Sequence, residues 1–233
     1  MLVTKAGTSR VMGEQMLKKF TTAVALGAVS AMAVTGIATA GHNEANTRQH
    51  HKAKLKPVPH DPQADHGSNV RGKAHVMRQG DRIMVKLRAQ GLSPNLPHAV
   101  HIHGKDAGEL AFCPGANRRT GIVHDGLIET AEGVPDYGPV QVSFTTTGDT
   151  SEKSVLALDR FPVAMPNGLL TYERSFSIPS AIAQRLEEKH IVIHGDDLDR
   201  DGKYGGRTTA LGAPLEGELP VACGELKRMD SNR

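Results

Sequence analysis

From residue 70 onward, apolar residues recur at every second position in short runs, separated by turns that carry glycine or proline. Ala74 and Val76, then Ile83, Val85, Leu87 and Ala89, flank a Gly80-Asp81 turn, while Lys86, Arg88 and Gln90 take the alternate positions of the second run. Successive side chains of a strand face opposite sides, so this pattern predicts two strands with one buried and one wet face. Val140, Val142 and Phe144 alternate before Gly148-Asp149, and residues 169–178 alternate again through Tyr172, Arg174 and Phe176. A further apolar run covers residues 154–158, and 190–194 is a compact β-branched strand. Only one helix is indicated: Pro179-Ser180 is a cap signal, and Ile182, Leu186 and a Glu187-Glu188-Lys189 end fit a short amphipathic piece. Many short strands with little helix predict an all-β sandwich or barrel. No internal repeat of useful length interrupts them.

The two ends of the chain read differently. Lys18-Lys19 precede an apolar run over residues 20–37, and Ala38-Thr39-Ala40 supplies small residues before Gly41. This predicts a cleaved secretory signal over 1–40 rather than a stable membrane anchor, because two glycines and several hydroxyl side chains dilute the run. Residues 41–69 are polar and basic, with His42, His50, His51, His60 and His66 among Lys, Pro and Gln. They predict a disordered linker, either a plain spacer or a metal-scavenging tail. The folded domain is then expected over 70–227, with a short disordered tail at 228–233.

Charge and composition narrow the function. The first forty residues hold four of the 28 basic and one of the 25 acidic side chains, so 24 of each remain. That balance offers no argument for nucleic-acid or anionic-membrane binding. With no tryptophan and 3% aromatics, the core must be built from Val, Ile, Leu and Ala. Secretion also frames the only two cysteines, Cys113 and Cys223, for which one disulfide is the simple expectation.

The chemistry concentrates in Pro97-His98-Ala99-Val100-His101-Ile102-His103-Gly104. On a strand His101 and His103 share one face, about 6.6 Å apart along the backbone, and two neutral imidazoles so placed can converge on one metal ion. His98 has the opposite parity and is not an automatic third ligand. On the later strand His190, Val192 and His194 share a face, and both segments end in His-Gly, which makes His194 the candidate partner. Three imidazoles suit copper or zinc, whereas hard cations want oxygen.

These residues carry a resemblance. Gly91-Leu92-Ser93-Pro94 with His98-Ala99-Val100-His101-Ile102-His103 resembles the signature of the copper/zinc superoxide dismutases. Ile191-Val192-Ile193-His194 followed by Asp196-Asp197-Leu198 looks like that family's second copper-ligand strand, and Leu219-Pro220-Val221-Ala222-Cys223-Gly224 is similar to its C-terminal strand. The three motifs occur in the family's order across most of residues 70–226. The resemblance implies a Greek-key β-barrel, copper on His101, His103 and His194, a structural role for His98, and a Cys113–Cys223 disulfide. Superoxide and the copper ion are the partners it implies. Three departures accompany it. No histidine follows Cys113 until His124, which could swing in as a fourth ligand; the zinc cluster is missing; and Pro220 stands where the superoxide-guiding arginine belongs. The layout is closer to secreted bacterial dismutase-like proteins grouped with chordin-type domains. Two functions follow: superoxide dismutation on copper, or a non-enzymatic extracellular module that binds or sequesters copper. A hydrolytic three-histidine zinc site has the right ligand count, but no nearby glutamate has family support as its base.

Two acidic stretches suggest calcium. Asp125-Gly126-Leu127-Ile128-Glu129-Thr130-Ala131-Glu132 matches the second half of an EF-hand loop, but Gly121 and Val123 fall at its first and third ligand positions, so the loop reads as degenerate. Asp197, Asp199 and Asp201 precede Gly202 in the Asp-x-Asp-x-Asp-Gly half of such a loop, although Thr208 occupies the twelfth position. Asp197 is also a candidate acceptor that orients the metal-ligating His194.

Overall fold

The computed structural model describes residues 47–65, 69–120 and 125–229. Nine antiparallel strands build the fold: β1 (Gln49–Pro57), β2 (Arg71–Gln79), β3 (Arg82–Gln90), β4 (Val100–His103), β5 (Val140–Ser143), β6 (Leu170–Ser177), β7 (His190–His194), β8 (Pro220–Glu225) and β9 (Lys227–Arg228). Their order is β5-β4-β7-β8-β1-β2-β3-β6, with β9 added beside β1. The chain therefore crosses from β3 to β4 and from β6 back to β7, a Greek-key path that divides the curled sheet into a β1-β2-β3-β6 half and a β5-β4-β7-β8 half. The fold is all-β. Among the described residues only one α-helix exceeds about a single turn, α1 (Thr130–Tyr137); α2 (Ser180–Ala183) and α3 (Leu215–Glu218) have four residues each.

The period-two patterning explains the first half. In β3 the buried Ile83, Val85, Leu87 and Ala89 alternate with residues that face out, and β2 pairs with it residue for residue from Arg71↔Gln90 to Gln79↔Arg82 around the Gly80-Asp81 turn. Gly80 has φ +59, a left-handed conformation that glycine adopts without a side-chain clash. The main core unites Leu55, Val76, Ile83, Val85, Leu87, Val100, Ile102, Phe144, Leu170, Ile191 and Ile193. Phe144 stacks on Tyr172 at 5.4 Å.

Two expectations are corrected. Residues 49–57 are a strand of the domain, not part of a disordered linker. Their alternation is carried by His51, Ala53 and Leu55 inward and Lys52, Lys54 and Lys56 outward, and only one of the inward residues is strongly apolar. Burial of His51 and pairing with β2 from Gln49↔Arg78 to Leu55↔Gly72 supply what local hydrophobicity does not. At the other end, Lys227 and Arg228 pair with Lys52 and His51, so the domain extends into the expected tail; residues 230–233 lie outside the described residues, as does the expected signal at 1–40. Where a short amphipathic helix was expected after Pro179, α2 and a 3₁₀ turn at Leu186–Glu188 share the segment, and Ala183 and Leu186 bury against the core.

Candidate metal centre

β4 and β7 are buried on both faces. Val100, Ile102, Ile191 and Ile193 feed the core, while His101, His103, Val192 and His194 point to the opposite side, where long connections cover them. The pair is antiparallel, with Val100 opposite Ile193 and His101 opposite Val192. A register shift between Ile193 and His194 on the β8 side ends the regular ladder at the third histidine. A bulge re-aims the side chain it precedes.

The three rings converge. One nitrogen from each of His101, His103 and His194 lies within 4.8 Å of the others. Ring centroids are 5.1 Å apart for His101–His194, 5.5 Å for His103–His194 and 5.6 Å for His101–His103. Nε2 of His103 and Nε2 of His194 are 3.3 Å apart. Two nitrogens bound to one metal at about 2.0–2.1 Å and a tetrahedral angle sit about 3.3 Å apart, so this pair already has a ligand spacing.

Their second nitrogens explain which atoms are free. His103 Nδ1–H donates to the Gly138 carbonyl at 2.8 Å, and His194 Nδ1–H donates to the Glu218 carbonyl at 2.7 Å. With the proton held on Nδ1, each Nε2 keeps its lone pair for a metal, an arrangement in which the outer partner fixes tautomer and ring orientation. Neither nitrogen of the buried His101 makes a well-formed hydrogen bond, and only a weak contact with the Val155 backbone reaches the ring. Burial holds all three neutral, reinforced at His101 and His103 by repulsion from the neighbouring rings. His103 is pushed down to about 3 and His194, by burial alone, to about 4. His101 falls well below its ordinary value through burial and the neighbouring His194 and His103, with the Val155 backbone opposing weakly. Phe161 packs edge-on against His101 at 5.2 Å and Tyr137 against His103 at 4.6 Å, locking both rings. A cavity of about 230 Å³ reaches the three rings, with walls that include Val134, Val140, Val155, Leu156 and Leu158. Among the described residues that line it, the only ionisable side chains besides the histidines are Glu152 and Glu218.

No family model matches the chain, and no curated protein matches it.

The other singled-out residues fall elsewhere. His98 is fully buried and fastens loops: Nε2 lies 3.0 Å from the Ser93 carbonyl, and Nδ1 lies 3.3 Å from the Tyr204 hydroxyl and 3.1 Å from the His194 carbonyl. A neutral ring is satisfied when Nε2–H donates to Ser93 and Nδ1 accepts from Tyr204. Cys113 and Cys223 form a disulfide that ties the connection after β4 to β8. His124 lies outside the described residues, as do His42 and His66. His60 is buried as a spacer; its Nε2–H donates to Pro220 at 2.8 Å, and its Nδ1 accepts from the Ile128 amide at 2.9 Å.

The two acidic stretches are built differently. The Glu132 carboxylate accepts from the Glu129 amide at 2.9 Å, and the two glutamates form the capping box of α1. The Glu-x-x-Glu spacing serves a helix start. Asp125 turns onto the Leu127 amide at 2.9 Å. Asp197 does not orient His194, since a backbone carbonyl takes that place; its carboxylate accepts from the Asp201 and Gly202 amides. Asp201 pairs with Lys203, whereas the buried Glu216 of α3 joins Asp197 and Asp199, one oxygen of each lying within 4.8 Å of the others. Nothing in the local sequence marks Glu216, which is 17 residues beyond Asp199 and arrives through the fold. Its carboxylate also accepts from the Leu198 and Gly205 amides.

Proposed function

We propose that His101, His103 and His194 hold a copper ion in a secreted protein built on the superoxide dismutase plan, and that its primary role is to bind and sequester the metal. The observation that carries this reading is His101, whose two buried ring nitrogens make no well-formed hydrogen bond beside two rings whose backbone bonds leave Nε2 free. An unpaired buried polar group costs stability unless something occupies its lone pair. Three neutral imidazoles fit a borderline-soft transition metal and disfavour a hard cation. Copper bound there would supply one-electron redox chemistry.

The chain's own residues favour holding over rapid turnover of an anion. Among the described residues lining the cavity there is no Lys or Arg, and the two carboxylate side chains repel an anionic substrate. Dismutation is the second reading, favoured by the cavity itself, which leaves one side of the three rings open to a small molecule.

Copper titration with elemental analysis and electron paramagnetic resonance tests the proposal. One equivalent with nitrogen hyperfine structure is expected. His101→Ala and His194→Ala should lose it, and His50→Ala, exposed on β1, should keep it. Full copper retention in both site variants refutes the assignment. Superoxide consumption by the loaded protein above that of simple copper chelates would establish dismutation in addition to binding.

A further inference from the structure

The outward face of the β1-β2-β3 half carries cations in registered rows. Lys54 stands opposite Lys73, and Lys73 opposite Arg88, so three positive side chains line up across three hydrogen-bonded strands. The neighbouring row runs Lys227, Lys52, His75, Lys86 and Glu173. Adjacent strands are about 4.8 Å apart, and like charges directly opposite each other destabilise a sheet. The carboxylates beside these rows are already engaged: Glu173 with Lys86 at 2.9 Å and Glu225 with Lys227 at 2.9 Å. The Lys54–Lys73–Arg88 row has no acidic partner among the described residues' ion pairs. The near-zero balance of the chain after its leader conceals this segregation.

The surface is also a groove. One trough of about 930 Å³ runs over β1, β2, β3 and β6, and a second of about 950 Å³ continues past Lys54, Lys56 and Lys73 to the exposed Leu110 and Phe112. The two share Lys54, Lys56, Lys73 and His75, so they are confluent. We propose that this groove binds a linear acidic polysaccharide, its carboxylates lying over the Lys54–Lys73–Arg88 row and a sugar ring against Phe112.

Three features select that partner. An elongated trough admits a polymer chain, while a flat bilayer cannot reach its floor. Single-stranded nucleic acid wants a series of exposed aromatic platforms, and Phe112 stands alone at one end; duplex DNA wants a helix or two-stranded ribbon that enters a groove. Lysine outnumbers arginine in the rows, which suits diffuse attraction to spaced charges better than bidentate phosphate recognition.

The test uses the purified protein against polygalacturonate, with uncharged dextran as control and duplex DNA and phosphatidylglycerol vesicles as competing arms. Saturable binding to polygalacturonate that weakens as salt rises is expected. Lys73→Glu should weaken it at least tenfold. In the absence of polymer the same change turns a repulsive row into an attractive one, so the melting temperature should rise by about 1–4 °C. Lys54→Gln with Arg88→Gln should weaken binding without inverting charge, and Lys153→Glu, on a distant turn, should leave it unchanged. Tighter binding to DNA or to vesicles, no binding to polygalacturonate at low salt, undiminished binding in Lys73→Glu, or equal loss in Lys153→Glu overturns the proposal.

Discussion

Replacing His101 by leucine separates metal binding from folding. In the metal-free protein His101 carries two buried nitrogens without a well-formed hydrogen bond. Each such group costs about 1–3 kcal/mol, part of which the polarity of the neighbouring rings returns. Leucine has nearly the same bulk, no polar atom, and packs against Phe161, which already meets the ring edge-on. The variant should therefore be more stable than the parent in chelator, by about 1–2 kcal/mol. With metal the order reverses. A ligand at a thousand times its Kd stabilises the parent by about 4 kcal/mol, and a variant with two ligands left gains far less. Urea unfolding of both proteins, in chelator and with saturating copper, reads the two differences directly. If His101→Leu is less stable in chelator and gains as much from copper as the parent does, His101 is a structural histidine and the site is not a metal centre.

Other outcomes follow from the same geometry. His98, His101, His103 and His194 are all held neutral below the ordinary histidine value of 6.5, chiefly by burial. The unfolded chain binds their protons first, so their contribution to stability is complete above pH 6.5 and is lost progressively as pH falls, through about 4 for His194 and about 3 for His103. Each contributes a slope of up to about 1.4 kcal/mol per pH unit. Urea midpoints of metal-free protein at pH 7.5 and 5 measure it, and equal midpoints refute it. The Cys113–Cys223 bond closes a separation of 110 residues, for which chain entropy gives about 4.8 kcal/mol; Cys113→Ser with Cys223→Ser should lower denaturant stability by an amount of that order. Gly138 has φ +83 and abuts the Gly104 backbone, so Gly138→Ala displaces the carbonyl that holds His103. Copper affinity should fall about 10–100-fold with the three ligands intact, as a competitive chelator titration would show.

Most strands were legible from the chain: β2, β3, β5 and β6 fall where apolar residues recur at period two, and β7 where a compact β-branched run stands. β1 was not, because Ala53 is weakly apolar and His51 is polar, and only long-range pairing with β2 and β8 defines the strand. α1 was masked by Gly133 and Pro135 within it, which lower helix propensity, while its capping box mimicked half a calcium loop. In the site, parity alone identified His101 and His103 as a pair. The shared His-Gly ending singled out His194 as their partner, but that it meets them depends on β7 lying antiparallel to β4. The orienting carbonyls of Gly138 and Glu218 could not be found in advance, because every residue offers a carbonyl and only tertiary placement selects two. The cation rows were hidden for a related reason: each strand shows basic residues at alternate positions, but register decides whether they face carboxylates or one another.

The two halves of the sheet have different surroundings, and this separates their roles. β4 and β7 bury both faces because the connection between β4 and β5, the turn near residues 152–158 and the segment around α3 cover the histidines. The outward faces of β1, β2 and β3 receive no such cover and keep their cations in solvent. A ligand on the histidines acts through the covering loops, whereas a polymer on the rows meets side chains anchored in a regular ladder. Coupling between two sites requires an element with two arrangements that both ligands bias. The continuous β1-β2-β3 ladder offers no second register, because a slip by one residue would expose Val76, Val85 and Leu87. Copper and polymer should therefore bind independently. Polygalacturonate affinity measured with and without copper should agree within about twofold, and His101→Leu should leave it unchanged. A tenfold change in either comparison would show that the covering loops reach the cation face and that the halves act as one device.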